Sequence, residues 1–511
     1  MSEQYLNVKT VAVVGAGVSG VASAVHLRKA GLDVTVFERN AHIGGVWFFD
    51  ERTSKDAAYP SVTPSVGDSP AYERSLDKRK DSASGSPVEG EGETSKPAAV
   101  DFAPPGPCYE GLKNNVSTHE MEMQCHTWME GTEEFVGQSV VSEYVRGAAE
   151  GNGILERVRL NTRVDRVAKE GGMWRVETSR LEHTGLGPRY ERAVELFDAI
   201  VVANGHYHAP NIPDFPGLKE WKAAFPDRIQ HSKLYRRPDD LRDQTVLIVG
   251  AGVSSTDIAR ELGPVARTIY QSSRGGPYDL PSHLLPDNAA RVPGIASFSP
   301  LPRINKPLDH GAPLPGTITL TDNSTLCSID RIILATGYHS SLPFLRNLHA
   351  DHLSSDSAPP DILITDGTHT HNLHKDIFYI PDPTLAFVGI PFHTATFSLF
   401  EFQAIALAQV FAGRVPLPRK EDIRAEYDER LKKKGAGRGF HSLRGRGEEM
   451  GYVRELVDWV NGSLGEHSMR GHSEKWIKSY GRRVQRMEAL FKASRDSEVD
   501  SQVAEARVPC S

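Results

Sequence analysis

The chain has 511 residues, of which 39% are hydrophobic and 24% charged, a composition typical of a globular protein with two or three domains. Its 59 basic and 66 acidic side chains give a net charge of −7, which disfavours nucleic acid as a partner. No apolar run reaches the roughly 18–20 residues of a membrane span. The 4 cysteines form no C-x-x-C pair, which disfavours a disulfide scaffold, a zinc site or a dithiol redox centre.

The opening of the chain predicts a β-α-β unit. Residues 9–14, KTVAVV, form the continuous apolar run of a buried parallel strand, and 32–38, LDVTVFE, form the next strand. A glycine turn and a helix rich in Ala and Val lie between them. The later elements of this domain are a predicted helix over 139–154 and predicted strands over 157–170, 173–180 and 195–205.

The first glycine turn has the sequence G-A-G-V-S-G. We expect Gly15 to permit the tight turn, Gly17 to let the backbone approach a pyrophosphate, and Gly20 to let the helix pack closely on the strand. The helix N-terminus then offers free N–H groups to the phosphates. Glu38, at the end of the second strand, suits the hydroxyls of a ribose and repels a 2′-phosphate. The predicted dinucleotide-binding residues are Gly15, Ala16, Gly17, Val18, Ser19, Gly20 and Glu38.

The segment that follows this unit divides into two parts. In HIGGVW, Gly45, Val46 and Trp47 are predicted to pass close to the cofactor, although a plain turn anchored by Trp47 is an alternative. Residues 51–107 are rich in Ser, Pro, Gly and charged side chains and have few large apolar groups. We interpret 51–107 as one flexible insertion, with an ordered surface loop packed by its few aromatics as the alternative.

A second strand, glycine turn and helix begin at 245–262, after a Pro-rich crossover at 208–217. Gly250 and Gly252 repeat the first two glycines, and Ser255 takes the third place, where its hydroxyl could add a bond to phosphate. The following strand ends not in an acid but in Arg274, beside two serines, Ser272 and Ser273. A guanidinium flanked by hydroxyls suits a 2′-phosphate, so this site favours NADPH over NADH. The alternative for Arg274 is a solvated surface arginine.

An acid in the first unit and a basic site in the second imply two different dinucleotides. That pairing indicates a flavin reduced by a nicotinamide, and the two sites must then face each other. The fold class is therefore α/β, with two doubly wound Rossmann-like domains and the NADPH domain inserted into the FAD domain. The predicted domains are an FAD domain in two parts, 1–208 and 332–511, the second with C-terminal helices, and an NADPH domain at 209–331.

Together these motifs resemble those of the flavin-containing monooxygenases, a family of class B flavoprotein monooxygenases. The resemblance runs from about residue 9 to about residue 480 outside 51–107, and the motifs that carry it are GAGVSG, FER, GGVW, YEGLKNN, FPDRIQHSKLY, GAGVSSTDIA and ATGY. It implies FAD and NADPH as cofactors, and a flavin C4a-hydroperoxide as the oxygenating species. The enzyme would then need no protein nucleophile and no metal.

The resemblance also assigns individual residues. It places Asn115, which closes Y-x-x-L-x-x-N, beside the reactive edge of the flavin as the predicted catalytic residue, with a turn or cap residue as the alternative. Asp257 has the alternative of an acid favoured by the helix dipole. The further predicted cofactor-binding residues are Asn114 beside Asn115, Asn204 and Thr336 at two domain crossovers, and Ser254, Ser255, Thr256 and Asp257 along the NADPH site.

The family fingerprint F-x-G-x-x-x-H-x-x-x-Y/F is matched by Phe225, His231 and Tyr235, but Asp227 replaces its glycine and puts the local turn in doubt. His231 is interpreted as structural rather than catalytic. Tyr235 favours the branch that oxygenates nitrogen and sulfur over Baeyer–Villiger relatives, which usually have Trp there. The aromatic residues of the returning segment are either core residues or the walls of a substrate cavity: Phe392, His393, Phe397, Phe400 and Phe402.

The predicted function is an NADPH-dependent flavin monooxygenase that oxygenates a soft nitrogen or sulfur atom of a small organic substrate with molecular oxygen. A Baeyer–Villiger monooxygenase or an amine N-hydroxylase is the nearest alternative, and a non-catalytic flavoprotein scaffold or redox sensor is the more remote one. Because the chain ends in EARVPCS and begins without a signal-peptide pattern, we expect a soluble, fungal-type, cytoplasmic member without a membrane anchor.

Overall fold

The structure, a computed structural model, describes residues 4–68, 95–184, 187–302, 308, 311–465 and 467–500. Its helices are α1 (Val18–Lys29), α2 (Ser95–Phe102), α3 (Thr118–Met121), α4 (Gln138–Gly151), α5 (Leu218–Ala224), α6 (Val253–Leu262), α7 (Thr396–Phe411), α8 (Lys420–Lys434), α9 (Glu448–Leu464) and α10 (Glu474–Asp500). In this part of the chain, no helix is both long enough and apolar enough to cross a membrane.

The strands are β1 (Thr10–Val14), β2 (Asp33–Phe37), β3 (Val158–Arg159), β4 (Thr162–Glu170), β5 (Met173–Thr184), β6 (Gly187–Phe197), β7 (Ala199–Val202), β8 (Ala209–Pro210), β9 (Ile229–His231), β10 (Thr245–Val249), β11 (Thr268–Ser272), β12 (Ala289–Val292), β13 (Ile295–Phe298), β14 (Ile318–Leu320), β15 (Thr325–Leu326), β16 (Arg331–Leu334), β17 (Tyr338–His339), β18 (Leu373–His374), β19 (Phe378–Tyr379) and β20 (Leu385–Phe387).

The first domain is built on a seven-stranded sheet in the order β18-β19-β20-β7-β1-β2-β3. The strands from β20 to β3 run parallel, and β18 and β19 add an antiparallel edge. Alternate residues of β1 enter opposite cores, because side chains of a strand point to its two faces in turn. Val11 and Val13 pack under α1, α4 and α7, whereas Ala12 and Val14 pack against β4 and β5.

The second domain carries a five-stranded parallel sheet in the order β12-β11-β10-β16-β9. On one face Leu247 and Val249 pack with α5 and the small sheet β13-β14-β15, and on the other Val246 and Ile248 pack with α6. The predicted α/β fold, with one dinucleotide-binding domain inserted into another, is confirmed. One face of the first sheet is covered by the antiparallel sheet β4-β5-β6 rather than by helices alone.

Two predicted boundaries differ from the observed elements. The limit at 331/332 falls inside β16, which pairs with β10, so the second sheet continues to residue 334. The insertion over 51–107, expected to be flexible throughout, is packed against the protein at both of its ends. Tyr59 is buried in the core of the second domain, and Phe102 packs against Leu181. The rest of the predicted insertion, 69–94, lies outside the described residues, as do 1–3 and 501–511 of the predicted FAD domain.

Candidate dinucleotide-binding site

The first glycine turn is shaped by backbone contacts that leave no room for side chains. A Cβ on Gly20 would lie 1.8 Å from the Gly15 carbonyl oxygen, and a Cβ on Gly15 would lie 2.6 Å from the Ala203 carbonyl oxygen. Gly45 has φ +59°, and its Cβ would lie 2.9 Å from Gly17 Cα. The two glycine segments, 15–20 and 44–45, therefore meet backbone to backbone at the start of α1.

The start of α1 is open to an anion. Gly17 is its N-cap, and among the described residues no side chain caps the helix and no acid stands in its first turn. Uncapped N–H groups at a helix N-terminus are a binding site for phosphate. Val18 and Ser19 begin the helix, and Ser19 packs against Gly389, whose Cβ would lie 2.4 Å from the serine hydroxyl oxygen. Val46 and Trp47 are half-buried beside this turn.

Glu38 is buried directly after β2, at the carboxyl end of the strand. One carboxylate oxygen accepts the Ala16 N–H at 2.8 Å, and the other accepts the backbone and side-chain N–H groups of Asn40 at 2.8 and 3.0 Å. These three bonds use three of the four lone pairs of the carboxylate, so one lone pair remains to accept a ribose hydroxyl. Glu38 thus also ties the glycine turn to the second strand, a role that the sequence did not indicate.

The second glycine turn has the same shape as the first. We call each glycine turn, together with the helix N-terminus that follows it, a cradle, and the second cradle is more open than the first. A Cβ on Gly250 would lie 2.4 Å from the Ala335 carbonyl oxygen. Gly252 is the N-cap of α6, again without a side-chain cap, and within the described residues no atom lies within 4 Å of its Cβ position. Ser254 is exposed in the first turn of α6. Both cradles fit the pyrophosphate of a dinucleotide.

Two of the residues predicted to contact NADPH face the protein interior instead. The Ser255 hydroxyl donates to the Gly252 carbonyl at 2.9 Å and accepts from Gln271 Nε2 at 2.9 Å. Thr256 accepts from the same amide at 3.3 Å, and both side chains are buried. The expected Ser255 contact with phosphate is therefore corrected: its hydroxyl holds the turn against Gln271 on β11.

Asp257 is also engaged by the protein, through a pair of tyrosines that pack on α6. The Tyr109 hydroxyl donates to the Asp257 carboxylate, and the Tyr235 hydroxyl donates to Glu261 at 2.8 Å. The two rings meet edge to face at 5.5 Å. Gly111 belongs to the same contact, since its Cβ would lie 1.8 Å from the Glu261 carboxylate. The YEGLKNN segment is thereby fixed to the helix of the second cradle.

The two asparagines of that segment have different environments. Asn114 is buried, and its amide donates to the Val116 and Glu134 carbonyls and accepts from Val136 N–H, so its side chain supports the loop rather than a cofactor. Asn115 is exposed, and no hydrogen bond of its side chain occurs within the described residues. Of the two, Asn115 is the one whose amide is available to a ligand.

The segments after β7 and β16 meet at the junction of the two domains. Asn204 donates to the Ser341 carbonyl at 3.3 Å, and the Thr336 hydroxyl donates to the Asn211 carbonyl. Tyr207 and Tyr338 stack edge to face at 5.5 Å. Because Ala203 and Ala335 of these segments contact the two glycine turns, the carboxyl ends of the two sheets adjoin at this junction.

Arg274 stands exposed directly after β11, where the sequence placed it. Its two serine neighbours do not act with it. Ser272 donates to the Pro293 carbonyl at 2.8 Å, and Ser273 donates to the Asp279 carboxylate. The expected site of one guanidinium and two hydroxyls is therefore corrected to the guanidinium alone, beside a loop that holds a carboxylate.

Sequence reasoning missed a second arginine at this junction. Arg438, from the segment between α8 and α9, donates to the Tyr338 carbonyl at 2.9 Å, and its guanidinium lies 2.8 Å from the Cβ position of Gly337. Burial, together with Arg438, lowers the pKa of His206 to about 4, so this histidine is neutral at pH 7. No short motif marks Arg438, because it lies far along the chain from every other residue of the junction.

The fingerprint residues lie at the junction of the two domains. His231 is fully buried: its Nε2 donates to the Gly337 carbonyl at 3.1 Å, and its Nδ1 accepts the Lys233 N–H at 3.1 Å. Burial lowers its pKa to about 3, which keeps the ring neutral and matches this tautomer. Asp227 does not need the left-handed conformation in which glycine is favoured, so its replacement of glycine is tolerated.

The aromatic residues of the returning segment are core residues for the most part. Phe397, Phe400 and Phe402 are buried in the core under α1. Phe392 is half-buried, and His393 is exposed with φ +61° at the turn before α7. Only these last two remain as candidates for the wall of a substrate cavity.

Two family models match the chain. "Flavin-binding monooxygenase-like" covers residues 107–283, and "NAD(P)-binding Rossmann-like domain" covers residues 13–68. The second match includes the first glycine turn and Glu38, and the first includes Asn115, the fingerprint and the second glycine turn.

Individual proteins are similar over nearly the whole chain. Flavin-containing monooxygenase ustF2 of Aspergillus flavus is 41% identical over 92% of this chain and 96% of its own length. Flavin-containing monooxygenase ustF1 of the same organism is 36% identical over 96% and 93%. The solved structure of S-allyl-L-cysteine S-oxygenase from Allium sativum superposes with a TM-score of 0.64 at 23% identity, covering 96% of this chain and 98% of that one.

Proposed function

Since this chain belongs to the flavin-containing monooxygenase family, we propose that it oxidises NADPH, consumes molecular oxygen and transfers one oxygen atom to a soft nitrogen or sulfur atom of a small organic molecule. The enzyme class is established by the family, and so are the cofactors, FAD and NADPH. The selectivity for NADPH over NADH, the atom oxygenated and the roles of single residues belong to the proposal.

One observation carries the proposal: the two glycine turns lie at adjoining ends of the two sheets, and the residues beside them at the strand ends have opposite charges. Glu38 ends β2 beside the first cradle, and Arg274 follows β11 beside the second. A carboxylate repels a 2′-phosphate and a guanidinium attracts one. FAD held in the first site and NADPH held in the second would supply the hydride transfer that reduces the flavin.

When bound and reduced, the flavin activates molecular oxygen, so the protein needs no nucleophile or metal of its own. The residues of the chain bind and orient. The N-termini of α1 and α6 bind the two pyrophosphates, Glu38 accepts a ribose hydroxyl, and Arg274 binds the 2′-phosphate. Asn115 offers an amide hydrogen bond at the reacting end without supplying a strong acid. The low pKa of His206, about 4, keeps that side chain from acting as a proton donor at pH 7.

Substrate class is the least constrained part of the proposal. Tyr235 packs its ring on Tyr109 and bonds Glu261, so its hydroxyl is occupied by structure and not by substrate. A tyrosine at this place favours nitrogen or sulfur oxygenation, and a Baeyer–Villiger oxidation of ketones is the second candidate.

The test is a pair of measurements on the purified flavoprotein. NADPH added under nitrogen should bleach the flavin rapidly, and NADH should do so far more slowly at the same concentration. With isotopically labelled dioxygen and panels of thioethers, amines and cyclic ketones, one labelled atom should appear in a sulfoxide or N-oxide. A labelled ester or lactone instead would assign the Baeyer–Villiger reaction, and a flavin that NADPH leaves oxidised would refute the proposal.

A further inference from the structure

A buried cluster of ionisable side chains joins the two nucleotide-binding domains. Asp68 accepts two hydrogen bonds from Arg39, at 2.7 and 2.8 Å, and one from Lys233 Nζ at 2.9 Å. His208 Nδ1 lies 3.1 Å from an Arg39 nitrogen. The Asp68 and Lys233 side chains are 5% and 4% exposed, so the bonds are shielded from water. We call Arg39, Asp68, His208 and Lys233 the Asp68 cluster.

The four members of the Asp68 cluster come from four different segments of the fold. Arg39 follows Glu38 at the end of β2 in the first domain, and Lys233 follows β9, the edge strand of the second sheet. Asp68 is the last residue of 51–68, the described first part of the predicted insertion, which we call the flank. His208 begins the crossover into β8. Lys233 Nζ also donates to the His208 carbonyl at 2.7 Å. The cluster therefore connects both domains to each other and to the flank.

A second residue of the same segment holds the same junction. Arg236 is buried and donates to three carbonyls at the two ends of the predicted insertion. These are the carbonyls of Asp50 at 2.9 Å, Arg52 at 3.3 Å and Gly106 at 3.2 Å. Its other N–H groups donate to carbonyls within 233–235. Segment 231–236 is thus fixed from two sides.

Each end of the cluster lies next to a nucleotide site. On one side Arg39 adjoins Glu38, the proposed FAD ribose ligand. On the other side, the Lys233 N–H donates to His231, and His231 donates to the carbonyl of Gly337, two residues from the contact of Ala335 with the second glycine turn. A displacement of Lys233 relative to Arg39 would be transmitted to both sites through bonded neighbours.

Buried ion pairs keep their geometry because breaking one exposes an unpaired charge to a low dielectric. Such a pair adds little net stability, and in some proteins its role is to specify how the groups that it joins are placed. Hydride transfer is sensitive to position, since reacting atoms must approach to roughly 3–3.5 Å.

We propose that Asp68 and Lys233 are positioning residues, which set the distance between the nicotinamide and the flavin by fixing the second domain against the first. This inference rests on the proposed function. Neither residue contacts the reacting atoms, and both act through the domains that they join.

The test uses Lys233→Met in the flavin-loaded full chain. This variant keeps the length of the stem and leaves Asp68 paired with Arg39, so no buried carboxylate loses all its partners. At saturating NADPH under nitrogen, we expect the rate constant of flavin reduction to fall roughly 10- to 100-fold, because a misplacement of about 1 Å costs up to that much. The Kd for NADP⁺, the FAD content, the melting temperature and the reoxidation of dithionite-reduced enzyme by oxygen should stay within twofold or a few degrees of wild type.

The control is Lys169→Met, which makes the same chemical change in a more exposed pair inside the first domain, Lys169 Nζ to Asp382 at 2.9 Å, and should not change the reduction rate. Lys233→Arg, which keeps the charge but displaces it, should give an intermediate rate. It also keeps the test open if Lys233→Met does not fold.

The outcomes are distinguishable. If NADPH reduces the wild type and both Lys233 variants at equal rates, the inference fails alone. If the slower reduction is accompanied by a more than twofold loss of FAD or by a fall in melting temperature of more than a few degrees, Lys233 has only a structural role. The inference is then overturned. If NADPH does not reduce the wild type at all, the proposed function fails, and the inference fails with it.

Discussion

The variant Gly252→Ala is expected to change the affinity for the second dinucleotide while leaving the stability of the protein almost unchanged. In the described structure no atom lies within 4 Å of the Cβ position of Gly252, and its φ of −80° and ψ of −167° suit alanine. The protein alone therefore loses only the capping preference of glycine over alanine, about 1 kcal/mol or less. We expect normal expression, normal FAD content and a melting temperature within a few degrees of wild type.

NADPH should be affected much more than the fold. The new methyl group occupies the space that a pyrophosphate needs to reach the N–H groups of α6. Loss of one hydrogen bond to a charged group costs about 1.5–3 kcal/mol, which is roughly a 10- to 150-fold rise in Kd. Titration of the oxidised flavoprotein with NADP⁺ gives the Kd, and steady-state NADPH oxidation gives the matching rise in KM.

Gly451→Ala is the matched control, since Gly451 lies within α9 and no described atom approaches within 4 Å of its Cβ position either. It makes the same chemical change far from both cradles and should leave the Kd for NADP⁺ unchanged. Wild-type affinity in Gly252→Ala would refute the assignment of this turn to a pyrophosphate. A parallel loss of FAD would show that the two sites are not separable in this way.

Three further predictions concern the cofactor site and the surrounding core. Arg274→Ala should lower kcat/KM for NADPH by roughly 10- to 100-fold, because a charged hydrogen bond to the 2′-phosphate is lost, and should leave kcat/KM for NADH unchanged; an equal loss with both would contradict the assignment. Asn115→Ala should leave flavin reduction unchanged but raise severalfold the share of NADPH oxidation that ends as hydrogen peroxide, measured against oxygenated product; unchanged coupling would remove Asn115 from the site. Burial and the charge of His441 lower the pKa of His371 to about 4, below the value of about 6.5 for an unfolded chain, so its share of the stability is full above pH 6.5 and is lost as the pH falls toward 4, by about 3 kcal/mol at most. Melting temperatures between pH 7 and 4 should fall less steeply in His371→Gln, and parallel slopes would count against this origin.

The features of the candidate site whose position in the fold could be predicted from the sequence are those in which backbone shape determines residue type. Gly15 and Gly250 have φ of +103° and +117° and touch a neighbouring carbonyl oxygen, so only glycine fits and the motif can be seen without a structure. The charge at the end of each second strand, Glu38 and Arg274, is equally local. In each domain the glycine turn and the charged residue belong to the same β-α-β unit, so both can be identified from a short stretch of sequence.

The parts that the sequence misplaced depend on contacts between distant segments. Ser255 was expected at phosphate, but Gln271 on the neighbouring strand draws its hydroxyl inward. Asp68 belongs to a polar stretch that composition assigns to solvent, yet Arg39 and Lys233 pair it in the interior. Arg438 enters the junction from the far end of the chain. Such contacts between distant segments cannot be predicted from local patterns of residue types.

The second domain enters the fold at β8 and leaves it at β17, and these strands are antiparallel partners in which Ala209 faces His339. Partners across such a ladder are separated by only about 5 Å. The host domain therefore has one small gap to close, whatever is inserted there, and chain ends that adjoin are the usual condition for exchanging a domain. A unit transplanted between these two strands would also have to provide partners for Tyr59 and Asp68, so we expect the reductant to be exchangeable only among units that keep those contacts.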